Sequence, residues 1–307
     1  MSADSDEGDS WKISGFAPKA VVKAALLAHD NAWDWDAQIV LSGSEIAEDR
    51  PDEWQIEAWL PRDPTDADMA AIAALFERDA PALTSEKLVR QDWLTVSQQG
   101  VQPIKAGKFY IHTPDFPASD NRAITSVMIP AGQAFGTGQH ETTAGCLAML
   151  THMKRTGLAI RNTADIGTGT GLLAFAALDL WPGAFATASD IDAVCAAVVA
   201  DNCAANGLAF GHRKGQLTMV IADGMEDALL QARGPYDLLI ANILAGPLVE
   251  LAPDFAANVS TGGHVLLAGL LTEQEPTVRR AYRAAGFRLA TKLIQGDWSI
   301  LWLRKRR

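Results

Sequence analysis

The chain has 307 residues, 48% hydrophobic and 21% charged, with 25 Gly and 14 Pro; this is the balance of a globular protein of one or two domains and excludes a disordered or collagen-like chain. A net charge of -11 argues against a nucleic-acid binder, because neutralising phosphates needs a basic face, and weakly favours a basic partner. No segment reads as a secretory signal or a membrane span, and Cys146, Cys195 and Cys203 form no C-x-x-C pair, so a protein of the reducing cytoplasm with no thiolate metal site is expected.

The opening MSADSDEGDS reads as an acidic, disordered tail over residues 1–10, and the closing Arg304, Lys305, Arg306 and Arg307 as a solvated end. From 11 to 95 the pattern is strand, helix, strand, strand, helix, strand. The first helix is predicted from Pro18, a favourable first-turn proline, through Val21, Val22, Ala25 and Leu26 to about His29. Gln38 to Leu41 reads as extended. Trp54, Ile56, Ala58 and Leu60 then alternate with Gln55, Glu57 and Trp59 as a half-buried strand does. After a turn at Pro61 to Pro64, Thr65 is positioned to cap a helix with Asp66 and Asp68 in its first turn and Met69, Ile72, Leu75 and Phe76 on its apolar face. This βαββαβ order predicts a small ferredoxin-like α+β domain, a unit used for many purposes.

Residues 96–130 read as a linker region, with a strand-like Phe109 to His112, a proline-containing turn at Thr113 to Pro117 and an extended run from Ala123 to Ile129. From 131 to 307 short β-rich runs alternate with helical ones. Strands are predicted at 163–166, 185–190, 217–222, 236–242, 264–270, 287–294 and 298–303. Such alternation implies right-handed crossovers and a mainly parallel, doubly wound α/β sheet. The last two strands, joined by a short turn at Gly296 and Asp297, are predicted to be an antiparallel edge pair.

Chemistry concentrates in this second part. Asp165-Ile166-Gly167-Thr168-Gly169-Thr170-Gly171 ends one predicted strand and opens the helix Leu172 to Leu180, the position where α/β sheets bind nucleotides. A dinucleotide fingerprint starting at Gly167 needs glycine at 172, where Leu172 stands, so the loop matches a nucleoside better than a pyrophosphate. The bland alternative is a glycine turn with no ligand. Asp190 ends the next strand, placed for a carboxylate that accepts both ribose hydroxyls. Asp192 reads as a first-turn helix residue. Asp223, after the third strand, either receives an adenine amino group or caps a helix. Asn242 closes the fourth strand after an apolar run, where an amide packs poorly but can orient a substrate. Upstream, Ala134-Phe135-Gly136-Thr137-Gly138-Gln139-His140-Glu141-Thr142-Thr143 is a donor-rich loop running into a helix near Glu141 that could fold over the same pocket; His140 alone is more simply a surface or capping residue.

In order, AFGTGQHETT, DIGTGTG, SDID and NILAGPLVELAP resemble the ribosomal protein L-eleven methyltransferase family (PrmA), within the Rossmann-like class I S-adenosylmethionine-dependent methyltransferases. The likeness covers the catalytic half throughout and the N-terminal half more loosely. It implies S-adenosyl-L-methionine as cofactor, ribosomal protein L-eleven as partner, free or on the ribosome, and N-methylation of lysine and N-terminal amines. It puts Thr143, Gly167, Asp190 and Asn242 on cofactor-binding positions; Gly169, Gly171, Asp223 and the loop residues Phe135, Gly136, Thr137 and Gly138, read from their own places in the sequence, are further cofactor-binding candidates. Asn242 is also the candidate for orienting the amine, and the ferredoxin-like module corresponds to the family's substrate-recognition domain. Thr170 stands where serine is usual, which keeps the hydroxyl. Two other readings remain: a lysine methyltransferase for another protein such as the electron-transfer flavoprotein β subunit, and a non-catalytic nucleoside-binding module. Methylation of nucleic-acid bases is disfavoured by the acidic balance and by the absence of an N-P-P-Y type motif.

Overall fold

The computed structural model describes residues 10–30, 32, 35, 36, 39–46, 50, 52–76, 80–88, 102–130 and 139–306. These residues fall into two compact units, one before residue 101 and one after it. Among them no helix is long and apolar enough to cross a membrane.

The first unit runs β1 (Ser10–Pro18), α1 (Lys19–Asp30), β2 (Val40–Glu45), β3 (Glu53–Leu60), α2 (Asp66–Ala74) and β4 (Thr84–Leu88). Its sheet has the order β2-β3-β1-β4 with every neighbouring pair antiparallel. Period-two alternation turns Ile56, Ala58 and Leu60 of β3 inward, where they share two small cores with Ile13, Val22, Ala25 and Ile72. Pro18 is not the first turn of α1 as expected. It ends β1 opposite Glu53, and the ladder continues one residue further because the Lys19 N–H donates to the Asp52 carbonyl at 2.9 Å. A proline fits there because extended backbone also accommodates its fixed φ and a strand end needs no donor from it. The second strand starts at Val40 and runs on through Ser42, Gly43 and Ser44, a polar stretch that extends only because β3 pairs with it. At α2 the Thr65 cap forms as expected. The Asp68 N–H donates to the Thr65 hydroxyl, the Thr65 N–H donates to Asp68 Oδ2 at 2.7 Å, and Arg62 forks onto the same carboxylate, holding it well below the usual carboxylate range.

The second unit opens with a three-stranded sheet, β5 (Ile104–Ala106), β6 (Phe109–His112) and β7 (Thr125–Met128), ordered β5-β6-β7. There follow α3 (Gln139–Arg155), β8 (Asn162–Ile166), α4 (Leu172–Leu180), β9 (Phe185–Asp190), α5 (Val194–Ala205), β10 (Ala209–Phe210), β11 (Gln216–Ile221) and α6 (Ala228–Arg233). The chain then forms β12 (Tyr236–Asn242), α7 (Ala245–Glu250), α8 (Ala252–Asn258), β13 (Val259–Leu271), α9 (Glu275–Ala284), β14 (Phe287–Gln295) and β15 (Trp298–Lys305). The eight-stranded sheet has the order β10-β11-β9-β8-β12-β13-β15-β14. Neighbours from β10 to β13 are parallel, while β15 runs antiparallel to both β13 and β14.

Apolar runs in the central strands serve two cores at once. Leu238, Ile240, Leu266 and Ala268 face the layer of α3 and α4, and the intervening Leu239, Ala241, Val265 and Leu267 face that of α7, α8 and α9. The stretch expected to be a linker at 96–130 belongs, over its described residues, to this second unit. Phe109, Ile111, Val127 and Ile129 are buried in the same core as α3 and α4. Polar ties reinforce them: Lys108 Nζ lies 2.6 Å from Asp179, the Met128 N–H donates to Asn206 Oδ1 at 2.8 Å, and Asn206 Nδ2 donates back to the Met128 carbonyl at 2.7 Å.

Candidate active site

Parallel pairing brings the carboxyl ends of adjacent strands to one rim. Ile221 pairs with Asp190, Ser189 with Ile166, and Ile166 with Ala241. The residues that follow or close these strands, Gly167 to Gly171, Asp190, Asp223 and Asn242, therefore line a single edge of the sheet, which is where open α/β folds bind ligands. The start of α3 reaches the same edge. Glu141 lies against Gly296, in the turn between β14 and β15, and Trp298 just after that turn pairs with Leu271 at the carboxyl end of β13. Thr143, one turn into α3, is half-buried. Of the expected loop residues, Phe135, Gly136, Thr137 and Gly138 lie outside the described residues.

The glycine loop is fixed from beneath by side chains. Thr168 Oγ1 donates to Asp165 Oδ2 at 2.7 Å and the Ala174 N–H donates to the same oxygen at 3.0 Å, tying the turn to the first residues of α4. The Gly169 N–H donates to Asp190 Oδ2 at 2.8 Å, and Asn202 Nδ2 donates to the Thr170 carbonyl at 3.0 Å. Gly167 and Gly169 have φ of +69° and +55°, the left-handed region where a side chain is strained. They differ in what surrounds them. A Cβ on Gly167 would lie 2.3 Å from Ile243 Cγ2, whereas one on Gly169 would meet nothing within 4 Å. Gly167 is thus glycine for packing, and Gly169 is glycine beside open space.

Asp190 is half-buried and takes a second bond, from the Asp192 N–H to Oδ1 at 3.1 Å, so each carboxylate oxygen keeps a lone pair for another donor. Asp192 accepts from the Val194 N–H at 2.9 Å, the helix-start role expected of it. Asp223 is exposed beyond the end of β11. The capping alternative for it falls to Asp227, which accepts from the Leu229 and Leu230 N–H groups at the start of α6. Asn242 is half-buried, opposite Ala268, and its amide bonds to none of the described residues.

Three residues at this rim carried no role in the sequence reading. Asp165 is buried. Burial pushes its carboxyl up to about 6 against the pull of its bonds from Thr168 and Ala174, the nearby Asp190 charge adds to the rise, and its Oδ1 has no partner among the described residues. Asn202 props the loop from α5. Cys195 is pushed up to about 11 by burial and by Asp190, so it stays a thiol. Asp165 heads the glycine motif, and its place one residue before the strand ends was the available signal; Asn202 had none.

A cradle with open space at Gly169, a carboxylate at the end of the neighbouring strand and an orphaned buried carboxylate oxygen fit a nucleoside carrying a cationic substituent. The eight-stranded sheet with its seventh position antiparallel, and this site at the ends of its first strands, define a class I methyltransferase fold. The family model described as ribosomal protein L11 methyltransferase (PrmA) matches residues 21–306, and the chain belongs to that family. A ribosomal protein L11 methyltransferase of Rhizobium meliloti is 38% identical over 284 residues, covering 92% of this chain and 95% of that protein. One from Sinorhizobium fredii is 37% identical over 265 residues, covering 85% and 88%. The crystal structure of a ribosomal protein L11 methylase from Lactobacillus delbrueckii subsp. bulgaricus superposes with a TM-score of 0.57 at 26% identity, covering 67% of this chain and all of that one (100%).

Proposed function

We propose that the protein transfers methyl groups from S-adenosyl-L-methionine to lysine and N-terminal amines of ribosomal protein L11. The observation that carries this reading is the open side of Gly169 next to the Asp190 carboxylate, in a chain whose relatives are L11 methyltransferases. S-adenosyl-L-methionine supplies an electrophilic methyl on a cationic sulfonium. In this reading Asp190 accepts the ribose hydroxyls, Gly167 to Gly171 let the backbone approach the ligand, Asp223 receives the adenine amino group, and Asp165 contributes negative charge beneath the loop. Thr143 and the 135–138 loop cover the methionine end and exclude water.

A lysine amine in water has a pKa near 10.4, and only its neutral form attacks. Desolvation next to a cation and loss to water remove that proton. Orientation is the protein's main contribution. Holding an amine in an aligned near-attack geometry supplies on the order of 7 to 11 kcal/mol, and the unengaged amide of Asn242 is the group assigned to it. The βαββαβ unit before residue 101, read as ferredoxin-like, serves as the substrate-recognition module in the cytoplasm. Calorimetry of the full chain tests the ligand choice: S-adenosyl-L-methionine binds and NAD does not, and the reverse result would overturn the reading.

A further inference from the structure

The whole-chain charge conceals a strong local segregation. Residues 276–307 hold nine Lys and Arg against one acid, Asp297, in a chain with 37 acidic and 26 basic residues. The fold gathers five of these arginines around one groove of about 590 Å³ between α9 and the β14–β15 edge: Arg279, Arg280 and Arg283 from the helix, Arg288 from β14 and Arg306 from the chain end. Among the described residues no acidic side chain lines it, and its floor includes the apolar Phe287 and Leu289. Only Arg279 is committed, to Glu275 at 2.9 Å; among the described residues no carboxylate pairs with Arg280, Arg283, Arg288 or Arg306. Arg288 also stands directly opposite Arg304 across the β14–β15 pair. Like charges so placed are destabilising. Four guanidinium groups with no carboxylate partner among the described residues thus stand on the two walls of one groove.

We propose that this groove docks the sugar-phosphate backbone of RNA. Guanidinium groups pair bidentately with phosphates and stack on exposed bases, and charges on both walls suit a strand whose anions repeat along its length. An acidic protein segment is the competing occupant. It is disfavoured because the groove offers flat cations over an apolar floor, which bases fill and carboxylate side chains do not. The site is separate from the rim at Gly169 and adds a partner to the proposed function without depending on it.

The test is fluorescence anisotropy of the full-length protein with a labelled RNA hairpin of arbitrary sequence, and separately with a labelled oligoglutamate of equal charge. Wild type should bind the hairpin and lose on the order of a hundredfold in affinity between about 50 and 200 mM salt, as roughly four neutralised phosphates imply. Arg280→Glu with Arg283→Glu should weaken RNA binding at least about tenfold, and the neutral pair Arg280→Gln with Arg283→Gln should fall between the two. Because Arg280 and Arg283 are exposed and pair with no carboxylate among the described residues, melting temperatures should stay close to wild type. Reversing two exposed arginines elsewhere in the same unit, Arg122→Glu with Arg155→Glu, should change RNA affinity less than about threefold. Equal losses in the two reversed pairs would overturn the proposal, as would oligoglutamate binding more tightly than RNA and being the ligand lost on reversal.

Discussion

Gly169→Ala separates the two duties of the glycine loop. Left-handed backbone costs a residue with a Cβ about 1 to 2 kcal/mol. At Gly169, where φ is +55° and an added Cβ meets nothing within 4 Å, that strain is the whole cost to the fold. At Gly167 the same methyl lies 2.3 Å from Ile243 Cγ2, and overpacking adds about 1 to 3 kcal/mol. Urea denaturation of both variants should therefore show a small loss for Gly169→Ala and a loss of about 2 to 5 kcal/mol for Gly167→Ala, with the slope unchanged. Calorimetry should reverse the contrast for the milder variant. If the space beside Gly169 is where S-adenosyl-L-methionine lies, the methyl competes with the ligand and strains the N–H that Asp190 holds, so affinity should fall tenfold or more, about 1.4 kcal/mol. A Gly169→Ala protein that binds the cofactor within about twofold of wild type would refute the assignment of that space.

Asp190→Ala removes the acceptor for the Gly169 and Asp192 N–H groups as well as for a ribose, and cofactor affinity should drop by roughly 1 to 3 kcal/mol in the same calorimeter; unchanged affinity would take Asp190 out of the site. Asn242→Ala should lower turnover on the order of tenfold to a thousandfold, about 1.4 to 4 kcal/mol, while cofactor affinity and melting temperature hold, because its amide has no structural bond to lose among the described residues. A parallel fall in all three would make it a structural residue. Asp165 titrates near 6 when folded and near 3.9 when unfolded, so between pH 4 and 6 the native state binds more protons and this group's contribution to stability falls as pH rises, by at most about 3 kcal/mol. Asp165→Asn should cancel that slope in denaturation curves taken across the window, and a difference between variant and wild type that stays constant from pH 4 to 7 would show that the carboxyl does not titrate there.

The strands of the catalytic half were legible because a parallel strand buried on both faces is a short apolar run between turn residues, as in 236–242, and the rim followed from where those runs end. The first helix of the N-terminal unit was legible in its apolar face but not in its start, since Pro18 suits both a helix's first turn and a strand's last residue and only the Lys19 bond to Asp52 decides. Misreading 96–130 as a linker has a different cause. Phe109 to His112 is four residues long and is followed by a proline-containing turn, and it becomes core only through α3 and α4, whose residues lie 27 to 71 positions further along. The supports of the glycine loop were hidden for the same reason: Asn202 meets Thr170 across 32 residues, a contact no local pattern announces. The net value of -11 sums the molecule, whereas the groove proposed for RNA rests on where the cations gather.

Methyl transfer itself tests the account most directly. The full chain, incubated with isotopically labelled S-adenosyl-L-methionine and purified ribosomal protein L11, should add label to L11, and intact-mass spectrometry should show L11 heavier by whole methyl increments, with fragmentation assigning them to lysine side chains or the N-terminal amine. Label appearing on oxygen or ring nitrogens, or L11 left unmodified while S-adenosyl-L-methionine is bound at the Gly169 rim, would contradict it.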